Sequence, residues 1–185
     1  MKGSKHRSFC RLLIAAVALL FWVLSGQTAE AVDNLQSAGD ALAVLLPAAA
    51  GITILALKDW EGAEQLVKSA TLTLGTTLAL KYTVAEKRPN GESHSFPSGH
   101  TAFAFSAAEF IRNRYGWEYG LPSYVAASLV AYSRTETRQH YFHDVLAGAV
   151  IGAGSSYLFT TSFKSLTVSG QVAPGYYGVI ISSNW

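Results

Sequence analysis

A series of apolar runs, separated by short polar segments, dominates the chain after residue 40. The runs cover residues 41–57, 63–81, 101–113, 121–132 and 144–160. Half of all residues are hydrophobic and only 14% are charged, against about 25% in average soluble domains. Runs of this length indicate helices and are only marginally long enough to cross a bilayer. We therefore expect an all-α helical bundle of about five to six helices, either membrane-embedded or soluble.

The first 31 residues have the pattern of an export signal. Basic residues precede the apolar stretch 12–24, and Ala29-Glu30-Ala31 offers small residues for cleavage. An uncleaved N-terminal helix is the alternative interpretation. The expected domains are a signal peptide or N-terminal helix at 1–31, a helical domain at 32–164, and a C-terminal β-hairpin tail at 165–185. The hairpin is predicted from β-branched and aromatic runs on either side of Pro174-Gly175.

Net charge and cysteine content exclude several classes of function. The formal net charge of +2 is too small for a nucleic-acid surface, and the cations cluster in motifs. Cys10 is the only cysteine and precedes the apolar stretch. A mature chain that begins after residue 31 therefore has neither disulfides nor thiol chemistry.

The densest group of reactive side chains lies between residues 133 and 144. Ser133-Arg134 is followed by His140, and Asp144 comes four residues after the histidine. If a helix begins near His140, the imidazole and the carboxylate share one face. A hydrogen bond to Asp144 would then leave the other ring nitrogen free for attack or proton transfer. Arg134 offers planar donors that suit phosphate. Taken alone, the pattern is equally typical of an exposed helix start.

Two further motifs indicate an anion site. Pro97-Ser98-Gly99-His100 precedes an apolar run, so we expect a serine-capped helix start whose free N–H groups attract anions. His100 would stand there, placed to protonate a leaving oxygen. Upstream, Lys81 and Arg88 lie at a helix end and in its exit loop. Both cations can converge on the same anion.

Together, these motifs resemble the three-part signature of the type 2 phosphatidic acid phosphatase and vanadium haloperoxidase superfamily. The signature positions are Lys81-x6-Arg88-Pro89, then Pro97-Ser98-Gly99-His100, then Ser133-Arg134-x5-His140-x3-Asp144. All three parts occur in order, and the resemblance covers about residues 80 to 145. Three linked motifs are far more specific than one.

The resemblance implies a role for each signature residue. His140 would be the nucleophile that forms a phosphohistidine, and Asp144 would orient it. His100 would protonate the leaving alcohol and later activate water. The implied phosphate-binding residues are Lys81, Arg88, Ser98, Gly99 and Arg134. Phosphoryl transfer mainly requires positioning and charge stabilisation, so we expect neither a metal nor a cofactor.

The activity implied by the resemblance is hydrolysis of lipid phosphate monoesters or pyrophosphates. Phosphatidic acid-like lipids, isoprenyl pyrophosphates and lipid A-type phosphates are the expected substrates. The alternatives are a soluble periplasmic broad-specificity acid phosphatase acting on small phosphate esters, a vanadate-dependent haloperoxidase and an inactive membrane scaffold. The expected location is the bacterial cell envelope, either the inner membrane with the site facing the periplasm or the periplasm itself. Substrate contacts would come from loops 58–62, 90–96 and 113–120.

The order of the helices also predicts where the motifs meet. If each helix reverses direction, loops 82–99 and 133–143 lie at the same end of the bundle. The opposite end then receives four cations, as the positive-inside rule would favour: Lys58, Arg112, Arg114 and Lys164.

Smaller features complete the sequence-based expectations. A capping box at 37–40 is expected to begin the first helix, with a kink at Pro47. Gly148, Gly152 and Gly154 suit close helix contacts. His94 is interpreted as a solvated loop histidine. His143 either tunes the local charge or faces solvent.

Overall fold

The computed structural model describes residues 30–163 and two strands at 166–173 and 176–183. Five helices form the domain: α1 Glu30–Leu57, α2 Trp60–Thr83, α3 Gly99–Tyr115, α4 Trp117–Glu136 and α5 Phe142–Phe159. Residues 30–163 are thus all-helical, as predicted. The strands β1 Leu166–Ala173 and β2 Tyr176–Ser183 pair in antiparallel register. Nearly all of the predicted signal segment 1–31 lies outside the described residues.

Helix α3 lies at the centre of the domain and packs against the other four helices. Its buried face is built from small residues, with Ala104 and Ala108 fully buried. The main core cluster joins α1, α3 and α4 and contains Leu42, Ala43, Leu46, Ala104, Ala107, Ala108, Ala126, Ala127 and Val130. Because alanine side chains are short, neighbouring helices can approach α3 closely, which brings functional groups from several helices to one end.

Two glycines bring α5 against α3. A Cβ at Gly148 would lie 2.5 Å from the carbonyl oxygen of Ser98. A Cβ at Gly152 would collide with the carbonyl oxygen of Ala102. Backbone atoms cannot move aside as a flexible side chain can, so the predicted close packing holds at both positions. Gly154 instead faces open space.

The two motif loops meet at one end of the bundle, as predicted. The backbone N–H of Ser98 donates to the carbonyl of Asp144 at 3.0 Å. The hydroxyl of Ser95 donates to the Asp144 carboxylate. At the other end, Arg114 bonds to Asp59 and to the carbonyl of Thr161. The domain therefore has a motif end, where the two loops meet, and an opposite end, where Arg114 binds Asp59.

The first two helices begin earlier than the sequence indicated. Helix α1 runs from Glu30 and through Pro47, so residues 37–40 are helical and the predicted capping box is wrong. Helix α2 begins at Trp60 because Asp59 caps it, accepting from the N–H of Gly62 at 2.9 Å. Most of the predicted loop 58–62 is therefore the first turn of α2.

The predicted loop at 113–120 is mostly helix as well. Only Gly116 separates α3 from α4, and its φ of 96° is accessible mainly to glycine. Helix α5 begins at Phe142, two residues after His140, so a helix does begin near the histidine, although His140 itself precedes it.

Two of the four cations assigned to the opposite end are paired with carboxylates. Arg112 bonds to Glu109, and Arg114 bonds to Asp59. Lys164 lies outside the described residues. The positive-inside argument is therefore weaker than the sequence suggested.

One helix among the described residues, spanning Val32–Leu57, is long and apolar enough to cross a membrane. It carries apolar side chains that the rest of the domain leaves exposed. Val44 is 69% exposed, Ile52 63% and Leu55 65%.

Candidate active site

His140 lies in the short segment between α4 and α5 and is almost fully buried, with 4% of its surface exposed. Its backbone N–H donates to the carbonyl of Arg134 at 3.0 Å, which fixes it relative to the end of α4. Its Nδ1 lies 3.5 Å from Oδ2 of Asp144 and has no hydrogen-bond partner. A contact of this length is longer than a hydrogen bond, although catalytic contacts often shorten when substrate binds.

Asp144 is fully buried in the first turn of α5. Its Oδ2 accepts from the N–H of Tyr141 at 2.9 Å and from the hydroxyl of Ser95. A carboxylate at this position is favoured by the helix dipole. Its Oδ1 is buried without a hydrogen-bond partner. The carboxylate is therefore held at one oxygen and incompletely satisfied at the other.

The surroundings of His140 favour its neutral form. Burial lowers the pKa of His140 to about 4, and the positive charges of Arg88 and Lys81 act in the same direction. The charge of Asp144 and a hydrogen bond to the backbone of Ser95 oppose this shift. A neutral imidazole near pH 7 has a lone pair available for attack on an electrophile.

Lys81 and Arg88 hold the loop that follows α2. Nζ of Lys81 donates to the carbonyl of His94 at 2.8 Å. Arg88 donates from Nη1 to Glu92 at 2.7 Å and to Gln139, the neighbour of His140, at 3.2 Å. Nε of Arg88 is buried without a partner. A donor left free in this position is suited to an incoming anion.

Arg134 lies in the last turn of α4 and is almost fully buried, with 3% of its surface exposed. It donates from Nη1 to Asp40 at 2.8 Å and from Nη2 to the carbonyl of Gln36 at 2.9 Å. Both partners belong to α1, which approaches closely because residue 39 is glycine. A Cβ there would collide with the side chain of Ser133.

His100 stands in the first turn of α3 with half of its side chain exposed. Its Nε2 lies 3.4 Å from Oδ1 of Asp40. Burial and the charge of Arg134 lower the pKa of His100, while the charge of Asp40 raises it. A phosphate dianion between these cations would favour the protonated imidazole, as a proton donor requires.

Ser98 and Gly99 form the start of α3. Ser98 occupies the N-cap position, as predicted, but its hydroxyl shares a 3.0 Å hydrogen bond with the hydroxyl of Thr101 and makes no bond to a backbone N–H of the helix. Ser98 is fully buried. A Cβ at Gly99 would meet only the methyl of Thr77, at 3.7 Å. The backbone N–H of Ser98 is also engaged, since it donates to the carbonyl of Asp144, so the backbone donor at this helix start that remains for an anion is that of Gly99.

The sequence analysis missed two contributors to the site. Asp40 contacts both Arg134 and His100, but its sequence context suggested only a helix cap. Ser95 bonds to Asp144 across 49 residues of sequence. Its place two residues before the Pro97 motif was the available signal.

Among residues 30–163, one group of three side chains has the composition of a metal site. Ligand atoms of Glu86, His143 and Asp144 all lie within 4.8 Å of one another. Neither Glu86 nor His143 was singled out as a ligand by sequence, because 57 residues separate them.

The site therefore combines a buried neutral imidazole, a second imidazole at a helix start, and three cations whose charges act on these rings. This combination is suited to a phosphate group: one group to attack, one to donate a proton, and cations around the equatorial oxygens. The comparisons with known proteins agree. The PAP2 superfamily domain matches residues 63–167, more than half of the chain. The chain belongs to the PAP2 superfamily. It is a phosphatase of this type, as predicted.

Two relatives are similar in sequence. The lipid A 4'-phosphatase of Helicobacter pylori is 34% identical over 163 residues, which cover 80% of this chain and 82% of that protein. The lipid A 1-phosphatase of Porphyromonas gingivalis is 40% identical over 83 residues, covering 42% of this chain and 18% of that protein.

Two crystal structures share the fold. LpxE of Aquifex aeolicus has a TM-score of 0.61 at 21% identity, covering 77% of this chain and 92% of that chain. The transmembrane PAP2-type phosphatidylglycerolphosphate phosphatase of Bacillus subtilis has a TM-score of 0.56 at 22% identity, covering 84% and 92%. Both confirm the helical architecture.

Proposed function

We propose that the chain removes a phosphate group from a lipid through a phosphohistidine at His140, without a metal ion. The observation that carries the proposal is that His140 is buried with its Nδ1 3.5 Å from Asp144. Burial and the charges of Arg88 and Lys81 lower the pKa of the His140 ring. A buried histidine that served only the core would normally have its ring nitrogens satisfied. Here Nδ1 of His140 and Oδ1 of Asp144 are left without hydrogen-bond partners.

The proposed reaction has two steps. In the first, the unprotonated ring nitrogen of His140 attacks phosphorus, the bond between phosphorus and the ester oxygen breaks, and His100 gives its proton to the leaving alkoxide. In the second, His100 takes a proton from water, which attacks phosphorus and breaks the phosphorus–nitrogen bond, releasing inorganic phosphate and neutral His140. Asp144 would stabilise the positive ring in between.

The phosphoryl oxygens would be held by the cations and by the start of α3. Lys81, Arg88 and Arg134 supply positive charge, and Gly99 supplies a helix N-terminal N–H. Arg134 currently binds Asp40, which is 46% exposed. We expect the phosphate to share Arg134 with Asp40, because a guanidinium has five N–H donors.

Lipid A is the substrate class that the relatives favour. Both are lipid A phosphatases by name, and the relative covered over 82% of its length is a 4'-phosphatase. We therefore propose a lipid A-type phosphate, with the 4'-position as the first choice. Phosphatidic acid and isoprenyl pyrophosphates are the rival lipids.

The proposed location follows from the same observations. Helix α1 has the length for a membrane span and exposes apolar side chains. We propose that α1 lies in the inner membrane with the motif end facing the periplasm, and that residues 1–31 direct export. Residues 165–185 would then be a tail that packs against one end of the domain.

The testing experiment is phosphate release by the purified full chain in detergent with EDTA. Two of the substrates are lipid A monophosphates, one with its phosphate at position 1 and one with its phosphate at position 4'. The other three are phosphatidic acid, an isoprenyl pyrophosphate and p-nitrophenyl phosphate. We expect the 4'-monophosphate to be preferred and all activity to be lost in His140→Ala. Equal activity on p-nitrophenyl phosphate would contradict the lipid proposal, and full activity in His140→Ala would contradict the mechanism.

A further inference from the structure

The Glu86, His143 and Asp144 side chains converge beside the nucleophile. Nε2 of His143 lies 2.9 Å from Oε1 of Glu86 and 3.2 Å from Oδ1 of Asp144. All three ligand atoms fall within 4.8 Å of one another. None of the three proposed phosphate-binding cations belongs to this group, and Asp144 uses its other oxygen for Ser95 and Tyr141.

We propose that these three side chains bind a zinc-like divalent transition metal, and that this ion inhibits the phosphatase. One imidazole and two carboxylates form a ligand set suited to zinc. In a tetrahedral site with ligands about 2.0–2.1 Å from zinc, neighbouring ligand atoms are about 3.3 Å apart. Two of the three separations, 2.9 and 3.2 Å, are already near this value.

An independent observation supports a ligand here. Oδ1 of Asp144 is a buried acceptor without a hydrogen-bond partner, on a fully buried side chain. It lies on the His143 side of the carboxylate, 3.2 Å from Nε2. An unpaired buried acceptor is costly, and a cation at this position would satisfy it. Two carboxylates would also neutralise both charges of the ion.

The imidazole is held in place but remains reachable. The ring of His143 stacks on Tyr141 at 5.4 Å with an interplanar angle of 8°, and on Phe96 at 6.2 Å and 28°. These contacts restrict the ring while 57% of its side chain stays exposed. An ion can therefore enter from solvent and keep water at its fourth position.

The inhibition rests on the proposed function, whereas the metal binding does not. An ion on Oδ1 would draw the negative charge of Asp144 away from His140, which Oδ2 approaches at 3.5 Å. The imidazole would lose the partner that stabilises its positive form during transfer. The positive charge of Lys81 interacts with the negative charge of Asp144 and would weaken binding of a cation there.

The first experiment measures zinc binding directly. Full-length protein in detergent is stripped with chelator and titrated with zinc in competition with a chromophoric chelator, and cobalt absorption reports the geometry. We expect His143→Gln and Glu86→Gln to weaken zinc binding at least about tenfold. The matched control, His94→Gln, should bind as the wild type does, because His94 is an exposed loop histidine bonded to Ser93. Unchanged binding in His143→Gln would overturn the proposal.

The same titration separates this site from the nucleophile. His140→Ala should still bind zinc, and loss of binding in that variant would place the ion on His140 and overturn the proposal. Magnesium should not compete, because it prefers all-oxygen sites. Magnesium competition equal to that of zinc would contradict an imidazole ligand.

The second experiment measures inhibition. Zinc should inhibit wild-type phosphate release, EDTA should restore it, and His143→Gln should need at least about tenfold more zinc. Equal inhibition of His143→Gln would overturn the inhibitory role. If zinc binding depends on His143 but no protein releases phosphate, the metal site stands and the proposed function fails. If phosphate is released but zinc does not bind, the proposed function stands and the metal site fails.

Discussion

The two ends of the bundle each contain a buried arginine paired with an aspartate, and the two pairs are completed to different extents. Arg114 at the opposite end and Arg134 at the motif end are both 3% exposed. Their partners differ, since the Asp59 side chain is 2% exposed and the Asp40 side chain is 46% exposed. The difference in exposure indicates that the Arg114–Asp59 pair stabilises the fold, whereas the Arg134–Asp40 pair remains accessible to a ligand.

The opposite end is a completed network. Asp59 accepts from Nε and Nη2 of Arg114, from the hydroxyl of Tyr115 at 2.9 Å, and from the N–H of Gly62. These bonds lower the pKa of Asp59 although burial opposes the shift. Arg114 also donates to the carbonyl of Thr161 at 2.9 Å. Because these buried charges have all their hydrogen-bond partners within the protein, they stabilise the fold and have little capacity left to bind a ligand.

The motif end is an incomplete network. Nε of Arg88, Nδ1 of His140 and Oδ1 of Asp144 are all buried without hydrogen-bond partners. Folding alone would not favour such groups, but a bound phosphate could satisfy the donors among them. The missing hydrogen-bond partners of these buried polar atoms, more than their burial or charge, distinguish the site from the rest of the domain.

Replacing the nucleophile should have the largest effect on the motif end. In His140→Ala we expect phosphate release to fall by about 10³-fold or more, because the attacking group is gone. The thermal midpoint should change little by comparison. Turnover and thermal unfolding of the same preparation check this. His94→Gln, at an exposed loop histidine bonded to Ser93, is the matched control, and a fall of similar size there would contradict the assignment.

Breaking the opposite end should affect stability and spare chemistry. In Asp59→Ala the Arg114 charge loses its main partner, and we expect the free energy of unfolding to fall by about 3 kcal/mol. The bonds of Arg114 to Glu61 and Thr161 keep the loss at the lower end of the range for buried pairs.

Denaturant unfolding measures this loss, and turnover per folded molecule should stay unchanged. Glu64→Ala, which breaks the exposed pair with Lys68 at 2.6 Å, is the control and should have no measurable effect. Equal losses in both variants would remove the distinction between completed and surface pairs.

Acid should destabilise the domain through His140. Its pKa is about 4 in the folded protein against 6.5 ordinarily, so the unfolded chain binds the proton first as the pH falls. The free energy of unfolding should therefore keep its full value above pH 6.5 and decrease by up to about 3 kcal/mol as the pH falls toward 4. Denaturant unfolding at several pH values checks this. In His140→Ala the decline should be shallower, and an identical decline would contradict a buried neutral histidine.

The smallest expected effect concerns Asp40. In Asp40→Asn, Arg134 and His100 lose a negative neighbour, and we expect phosphate release to fall about tenfold. Because the charge of Asp40 raises the pKa of His100, the alkaline limb of the activity profile should move to lower pH. A pH profile measures this shift. Reduced activity with an unmoved profile would show that Asp40 acts on structure alone.

The sequence was sufficient for the helices and the motifs but not for the contacts between distant segments. Apolar runs located all five helices, and motif spacing brought Lys81, His100 and His140 to one end. Asp40 reaches Arg134 across 94 residues, and spacing along one helix cannot reveal such a contact.

Local signals also failed where tertiary context decides. The polar and aromatic residues after 112 indicated a loop, but the positive φ of Gly116 turns the chain in a single residue. A polar cluster therefore does not need a long connection when a glycine can make the turn.

The most direct test of the account is to trap the phosphoenzyme. Full-length protein is mixed with phosphorus-labelled lipid substrate, quenched in alkali and digested, and the labelled peptide is identified. We expect an acid-labile, alkali-stable label on His140 in the wild type. In His100→Asn the label should form and decay more slowly, because His100 serves both steps of the proposed reaction. No label in either protein, or a label that persists in His140→Ala, would contradict a phosphohistidine at this position.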